Sequence, residues 1–336
     1  MRGYHVSLGA GISGLRLRED PLPRPNPRQA LIRVRATSLS FRELMILRGW
    51  YPLPVKDDLI PVSDGAGEVV EVGSEVSRVA VGDRVSAQIF PHWLDGGWGP
   101  EFTAQLGGSL DGMLAEYALL DETALVHIPE HLSYEEAACL PCAGLTAWNA
   151  LTGGRGLSAG EAVLTLGSGG VSVFALQFAK AFGARVIATT SDDEKARRLR
   201  RLGADAVVNY ATTRDWPAQV RRLTDGRGVD HVIEVTGLLA PAAKSIAFGG
   251  EIAFVGLLER DAGLPKIDPS VLWTSTLTVR AIAVGSRAQF EAMNRAIEAS
   301  SLKPVIDSVF PFDEAADAYR HYEQARPFGK VVISHG

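Results

Sequence analysis

The chain has 336 residues, 46% of them hydrophobic and 22% charged, with a net charge of −5 at neutral pH. Length and apolar content suit a soluble protein of two domains with a sizeable core, and the acidic balance argues against nucleic-acid binding, which needs a basic footprint. No run approaches the roughly 18 uninterrupted apolar residues of a membrane span, and Met1 to Leu17 carries scattered charges where a secretory signal would be apolar. The only cysteines, Cys139 and Cys142, make no disulfide framework, so a reducing cytoplasm is the expected compartment.

Residues 1 to about 125 are rich in β-branched residues, Gly and Pro. The spacing predicts short strands over 30–36, 67–72, 84–89 and 113–119, with turns at Val72-Gly73-Ser74 and Val81-Gly82-Asp83. This reads as an irregular antiparallel β domain. The loop 91–112 carries His92, Trp93, Trp98 and several glycines with little periodicity, the mark of a functional or mobile segment. From about 144, apolar strand-length runs alternate with amphipathic helices. Strands are predicted at 162–166, 185–189, 206–209, 229–235 and 252–255, and helices at 171–182, 193–202 and 216–224. Short all-apolar strands joined by helical crossovers give a doubly wound parallel sheet. Two helices, 288–300 and 313–324, and a strand, 330–334, close the chain.

The segment Ala162-Val163-Leu164-Thr165-Leu166-Gly167-Ser168-Gly169-Gly170-Val171-Ser172 follows a strand and opens a helix. That context makes its glycine spacing a specific sign of a dinucleotide site. Gly167 permits the tight turn, and Gly169 lets the backbone approach a pyrophosphate. The helix beginning near Gly170 aims its free N–H groups and positive dipole end at the phosphates. Ser172 replaces the third glycine with another small residue. The next strand ends Ile187-Ala188-Thr189-Thr190-Ser191, with no acid at its tip to bind the adenosine ribose of NAD. Thr190, Ser191, Lys195 and Tyr210 are placed to meet a 2′-phosphate, which favours NADPH over NADH; Asp192 and Asp193 count against this unless they turn away.

Four motifs together match one family. They are Asp64-Gly65-Ala66-Gly67-Glu68-Val69-Val70-Glu71-Val72-Gly73 with Val81-Gly82-Asp83-Arg84-Val85 after it; Leu140-Pro141-Cys142-Ala143-Gly144-Leu145-Thr146-Ala147-Trp148; the glycine turn; and Gly226-Arg227-Gly228-Val229-Asp230 leading to Glu234-Val235-Thr236-Gly237. Along nearly its whole length the chain resembles medium-chain dehydrogenases/reductases, in particular their zinc-free, quinone oxidoreductase-like branch. The resemblance implies an α/β protein: a GroES-like catalytic β domain from residues 1–125 and 286–336, and a Rossmann domain from 126–285, with the cofactor in the cleft between them. It implies cofactor contacts from Phe41, Arg42, Thr146, the turn Gly167, Ser168, Gly169, Gly170 and Val171, the strand end Val255, Gly256 and Leu257, and the C-terminal Phe328, Gly329 and Lys330. It also implies a homodimer through the edge strand at 277–284.

Zinc-dependent relatives bind a catalytic zinc through Cys, His and Cys or Glu. The matching positions here are Ser40, Ser63 and Cys142, two hydroxyls and one sulfur, a poor donor set for a metal that wants about three strong protein ligands. The loop 91–112 has no cysteines for a structural zinc. Cys139-x-x-Cys142 lies outside any thioredoxin-like unit, so both cysteines read as small buried residues. Without a metal, hydrogen-bond donors must stabilise the charge on the substrate oxygen. Tyr51 and Ser40 are the leading candidates, with Ser63 and His92 further out. Trp93, Trp98 and Trp148 would line an apolar pocket for an aromatic or enone substrate. The expectation is a zinc-independent NAD(P)H oxidoreductase acting on a quinone, enone or related carbonyl. The alternatives are a zinc-type alcohol dehydrogenase with altered ligands and a non-catalytic nucleotide-binding protein.

Overall fold

The structure, a computed structural model, describes residues 1–256 and 267–336. In chain order the first elements are β1 (Arg2–Val6), β2 (Leu15–Glu19), β3 (Gln29–Leu39), α1 (Phe41–Leu47), β4 (Asp64–Val72), β5 (Arg84–Ala87), β6 (Tyr117–Asp121), β7 (Leu125–His127) and α2 (Tyr134–Ala137). A π-helical turn, Leu140–Gly144, leads into α3 (Leu145–Thr152). Then come β8 (Ala162–Thr165), α4 (Gly170–Ala181), β9 (Arg185–Thr190), α5 (Asp193–Arg201), β10 (Ala206–Asn209), α6 (Trp216–Leu223), β11 (Val229–Glu234), α7 (Leu239–Ser245), β12 (Ile246–Phe254), α8 (Pro269–Ser275) and β13 (Thr278–Ala281). The chain closes with α9 (Arg287–Ser300), β14 (Ile306–Pro311), α10 (Ala315–Ala325) and β15 (Lys330–Ser334). Two units result: Met1–Leu145 with Gly285–Gly336, and Thr146–Val284. Among the described residues, no helix is long and apolar enough to cross a membrane.

The first unit is built on a sheet ordered β14-β15-β3-β4-β5-β7, with β6 also paired to β3. Its centre is β3, where Ala30, Ile32, Val34 and Ala36 on one face are buried and Arg33 and Arg35 on the other are not, as suits a long pleated strand with packed neighbours. The glycines of β4 have a packing reason. A Cβ on Gly67 would stand 2.2 Å from the Arg33 carbonyl oxygen, where the β3–β4 register shifts. One apolar cluster gathers Ile32, Val34, Val69, Val85 and Leu120. A second gathers Leu39, Leu44, Leu47, Val62, Tyr319, Val331 and Ile333, tying α1 and α10 to the sheet.

Two sequence expectations shift here. The first domain was expected to close near 125, but residues 126–145 belong to the first unit: Val126 pairs with Ser86, and Ser38 Oγ donates to the Ala138 carbonyl at 2.8 Å. The strand expected over 113–119 starts at Tyr117, because the amides of Gly112, Met113 and Leu114 are already donated to the carbonyls of Ile60, Val62 and Pro61.

The second unit carries the doubly wound sheet. Its parallel strands run β10-β9-β8-β11-β12-β13, so the order reverses between β8 and β11. Such a reversal is where open α/β sheets bind ligands, at the carboxyl ends of the strands. Strands β8 and β11 are buried throughout, as strands of a covered parallel sheet are; β8 is nearly all apolar, whereas β11 also buries Asp230, His231 and Glu234. Leu164, Ile187, Val208, Val232 and Ile252 form one core across five of the strands.

Candidate functional site

In the second unit, the turn between β8 and α4 has the properties its sequence demanded. Gly167 holds a φ of 78°, and its N–H donates to Thr189 Oγ1 at 3.1 Å. Ser172, in place of the third glycine, is buried and donates its hydroxyl to the Leu166 carbonyl at 2.7 Å, so no polar atom is stranded by the exchange. Gly169 begins α4 with no side-chain cap, and a Cβ on it would meet nothing within 4 Å. An uncapped helix start with open space above it fits a pyrophosphate.

Thr190 ends β9, Ser191 follows it, Lys195 lies in the first turn of α5, and Tyr210 comes directly after β10, its N–H donating to the Thr190 carbonyl at 2.9 Å. These positions share the carboxyl edge of the sheet. The two acids beside them are engaged locally. Asp192 caps α5 by accepting the Lys195 N–H at 2.7 Å, and Asp193 accepts from Asn209 Nδ2 at 2.8 Å. Val255 and Gly256 follow β12, and both amides donate to the Glu234 carbonyl, at 2.8 and 3.0 Å. Thr146 is buried at the start of this unit. Leu257 lies outside the described residues. Sequence reasoning passed over the Glu234 side chain: fully buried, it accepts from the amides of Thr236, Gly237 and Leu238 at 2.8, 2.9 and 3.2 Å. The signal was available: Glu234 is an acid ending a buried strand directly before Val235-Thr236-Gly237.

In the first unit, Ser40, Ser63 and Cys142 surround an ion pair. Lys330, the first residue of β15, is 2% exposed and donates to the Leu39 carbonyl at 2.7 Å, to Ser40 Oγ at 2.7 Å and to Asp64 Oδ2 at 3.1 Å. Asp64, which opens β4, is 0% exposed; it also accepts from Ser38 and Ser40 at 3.3 Å each and from Ser63 at 3.0 Å. Burial alone would strip the Lys330 proton, but the Asp64 carboxylate outweighs it and keeps the ammonium charged. The Cys142 thiol is pushed up to about 12 by burial, and Cys139 likewise.

A second buried pair adjoins the first. Arg42 Nη1 donates to Glu43 Oε1 at 2.8 Å, Arg42 Nη2 donates to the Gly107 carbonyl at 3.3 Å, and the guanidinium lies 4.9 Å from the centre of the Tyr51 ring. Burial works against the Arg42 cation, and Glu43 holds it protonated; burial in turn raises Glu43 itself. Ser63 links the pairs, donating its hydroxyl to Asp64 and, at 3.4 Å, to Glu43 Oε1.

The predicted site residues therefore sort clearly. Ser40, Ser63, Arg42, Tyr51 and Lys330 come together in the first unit. Phe41 starts α1 beside them. Lys330, expected at the cofactor, sends its ammonium into this cluster. Phe328 is buried, its amide donating to Asp307 at 2.9 Å, and Gly329 has a φ of 91°. His92 is exposed on its loop and shares no hydrogen bond or ion pair with the cluster. Trp93 and Trp98 do meet, 5.0 Å apart, with Phe90 and Phe102 around them. Trp148 belongs to the second unit, where it packs on Phe178 and Phe182 because α3 turns it onto α4.

Comparison with known proteins agrees with both halves. Residues 26–130 match the alcohol dehydrogenase GroES-like domain, and residues 170–299 match the zinc-binding dehydrogenase family. A zinc-type alcohol dehydrogenase-like protein of Schizosaccharomyces pombe is 40% identical, over 96% of each chain. A chloroplast envelope quinone oxidoreductase homolog of Arabidopsis thaliana is 31% identical, over 97% of this chain and 96% of that one. Among solved structures, a putative alcohol dehydrogenase of Sinorhizobium meliloti superposes with a TM-score of 0.93 at 37% identity, covering 99% and 98% of the two chains. A mycobacterial protein solved with NADPH superposes with a TM-score of 0.82 at 26% identity, covering both chains in full. With its GroES-like unit, its doubly wound nucleotide unit and these relatives, the chain belongs to the medium-chain dehydrogenase/reductase superfamily and is an NAD(P)-dependent oxidoreductase.

Proposed function

We propose that this oxidoreductase passes hydride between NADPH and a quinone, enone or related carbonyl, and that it works without zinc. The observation that carries the reading is the donor set at positions 40, 63 and 142: two hydroxyls and one thiol, with the Lys330 ammonium bonded to the first hydroxyl. Zinc wants anionic or imidazole donors about 2.0–2.3 Å away, and these residues do not fit it. Among the described residues, no group of three or more His, Cys, Asp and Glu could hold a metal. The zinc-type name of the fission-yeast relative points the other way, and the quinone oxidoreductase name of the Arabidopsis relative supports the reading. NADPH is supported by Thr190, Ser191, Lys195 and Tyr210 at one sheet edge, by the local engagement of Asp192 and Asp193, and by the NADPH of the mycobacterial neighbour.

A bound nicotinamide supplies the hydride. As a carbonyl accepts it, negative charge grows on the substrate oxygen, and a proton from water completes the alcohol. The chain's part is to hold donors where that charge forms. Ser40 and Tyr51 are the donors we propose; Arg42 braces the Tyr51 ring, and buried Ser63 fixes Asp64. The aromatic group of Phe90, Trp93, Trp98 and Phe102 favours a flat apolar substrate. We also propose that two copies pair through β13.

The test is metal analysis of the purified protein together with NADPH and NADH oxidation against quinones, enals, ketones and alcohols. Turnover of a quinone or enone by metal-free protein, faster with NADPH, is expected. Stoichiometric zinc with loss of activity on chelation would favour an altered zinc-type alcohol dehydrogenase. No turnover with any acceptor would leave a nucleotide-binding protein without catalysis.

A further inference from the structure

We infer that Lys330 is a positioning residue that turns the Ser40 hydroxyl into the hydrogen-bond donor for the substrate oxygen. This rests on the metal-free reading above and names the group that takes the metal's part.

The first observation is what Ser40 does not do. It occupies the N-cap position of α1, where serine ordinarily accepts an amide from the first turn, yet its side chain makes no such bond. The hydroxyl oxygen instead accepts from Lys330 Nζ at 2.7 Å. The second is the ammonium's own inventory. Lys330 has three N–H donors, and they go to Leu39, Ser40 and Asp64. None is left for a ligand, so any hydrogen-bonded action on one runs through a neighbour. The third is the Ser40 hydrogen. With its oxygen occupied by the ammonium, it faces Asp64 Oδ2 at 3.3 Å, longer than the 2.5–3.0 Å of an ordinary O–H···O bond. That weak partner is readily exchanged for a substrate oxygen. Ser40 is also the most exposed of the three, 8% against 2% for Lys330 and 0% for Asp64.

The scaffold makes the arrangement rigid. Lys330 opens β15, which pairs with β3 from Val331 opposite Leu39 onward, and Ser40 directly follows β3. Asp64 opens β4 on the other side of β3, opposite Ser38. Three strand ends therefore fix the ammonium, the hydroxyl and the carboxylate before any substrate arrives. In the resting state Asp64 balances the ammonium. When charge develops on a substrate oxygen bonded to Ser40, the ammonium behind the hydroxyl strengthens that bond, because a donor that itself accepts a charge-assisted bond is the more polarised.

A buried Lys–Asp pair can equally be structural, and replacing such pairs by uncharged residues is often neutral for stability. Stability alone therefore does not decide. The experiment is a kinetic cycle in the full-length protein with NADPH and the best acceptor found for the wild type. Ser40→Ala is expected to lower kcat by about 100-fold, the loss seen when one oxyanion donor is removed, with the KM for NADPH within about twofold. Lys330→Met combined with Asp64→Asn removes both charges, so neither is stranded; a similar fall in kcat is expected. The triple variant should be no slower than Ser40→Ala, because the lysine works through the serine. Lys330→Arg is read beside them for the case in which the double variant does not fold; it keeps the charge and loses the three-partner fit, and a fall in kcat at unchanged KM is expected. Wild-type kcat in Lys330→Arg or the double variant, or a triple variant showing the product of both losses, overturns the inference. Zinc in the wild type, or absence of turnover, defeats the underlying reading instead, so the two failures are told apart.

Discussion

Val62 holds a φ of 72° although it is β-branched and fully buried. Side chains of this kind avoid the left-handed region, at a cost on the order of 1–3 kcal/mol. The residue immediately precedes Ser63 and Asp64, and its carbonyl accepts the Met113 amide at 2.7 Å. Its backbone therefore delivers two members of the polar cluster. Val62→Gly should remove that strain while losing apolar packing, so the two effects oppose. Val69 is equally buried in β4 and lacks the positive φ, so Val69→Gly loses packing with no compensation. Denaturant unfolding should show Val62→Gly less destabilising than Val69→Gly by about 1 kcal/mol or more. Equal losses would mean that Val62 carries no strain. At this scale the sequence was legible where one residue decides one local property: Gly167 for a turn, Ser172 for a small buried contact. It was not legible for Lys330. The lysine's partners at 39, 40 and 64 are brought to it by the pairing of β15, β3 and β4, and no local pattern at Gly329-Lys330-Val331 specifies that register.

At the scale of elements, the parallel sheet was read nearly strand for strand, because covered strands give short apolar runs and crossover helices give the intervals. Among what escaped were the hairpin of β1 and β2, strands β7 and β14, and the helices α1, α2, α3, α7 and α8. The α1 sequence Phe-Arg-Glu-Leu-Met-Ile-Leu is largely an apolar run whose period does not separate helix from strand. The element with most bearing on function is the start of α4. Gly169 has an ordinary φ of −76°, and open space lies where a Cβ would stand. A side chain there is tolerated by the fold and intrudes only on a ligand. Gly169→Val should leave unfolding within about 1 kcal/mol of wild type, the usual span of N-cap exchanges. The same change should weaken NADPH binding at least about tenfold, or about 1.4 kcal/mol. Fluorescence titration of NADPH with a parallel melting curve checks both halves; unchanged affinity would remove the turn from the cofactor site.

At the scale of the molecule, the second unit carries the sheet edge proposed for the nucleotide, and the first a cluster of buried charges. The boundary between them fell 20 residues beyond the sequence expectation of 125, at Leu145. Residues 126–145 carry no composition change, and their bonds to the first unit assign them: to β3 and β5, to Asn294 of α9, to Leu302 and to Ser334 of β15. Among the described residues, the second unit also has an open sheet edge: β13 pairs with β12 alone. It is held firmly, because Arg280 donates to Glu251 Oε1 at 2.9 Å and to Asn149 Oδ1 at 3.1 Å. Thr278 and Val279 on it are exposed, and Trp273 on the preceding α8 is 83% exposed. A rigid edge whose single charge, Arg280, is paired with Glu251, beside an exposed tryptophan, is a hazard for a monomer and a ready interface for a twofold dimer, in which the same strand meets itself. Sedimentation equilibrium at micromolar concentration should therefore give twice the 35.9 kDa chain mass. Thr278→Lys with Val279→Lys places like charges on both copies of that edge, and should return the mass to that of one chain with the fold intact by circular dichroism. A wild-type protein sedimenting as a single chain, or a lysine variant that remains a dimer, would take β13 out of the assembly.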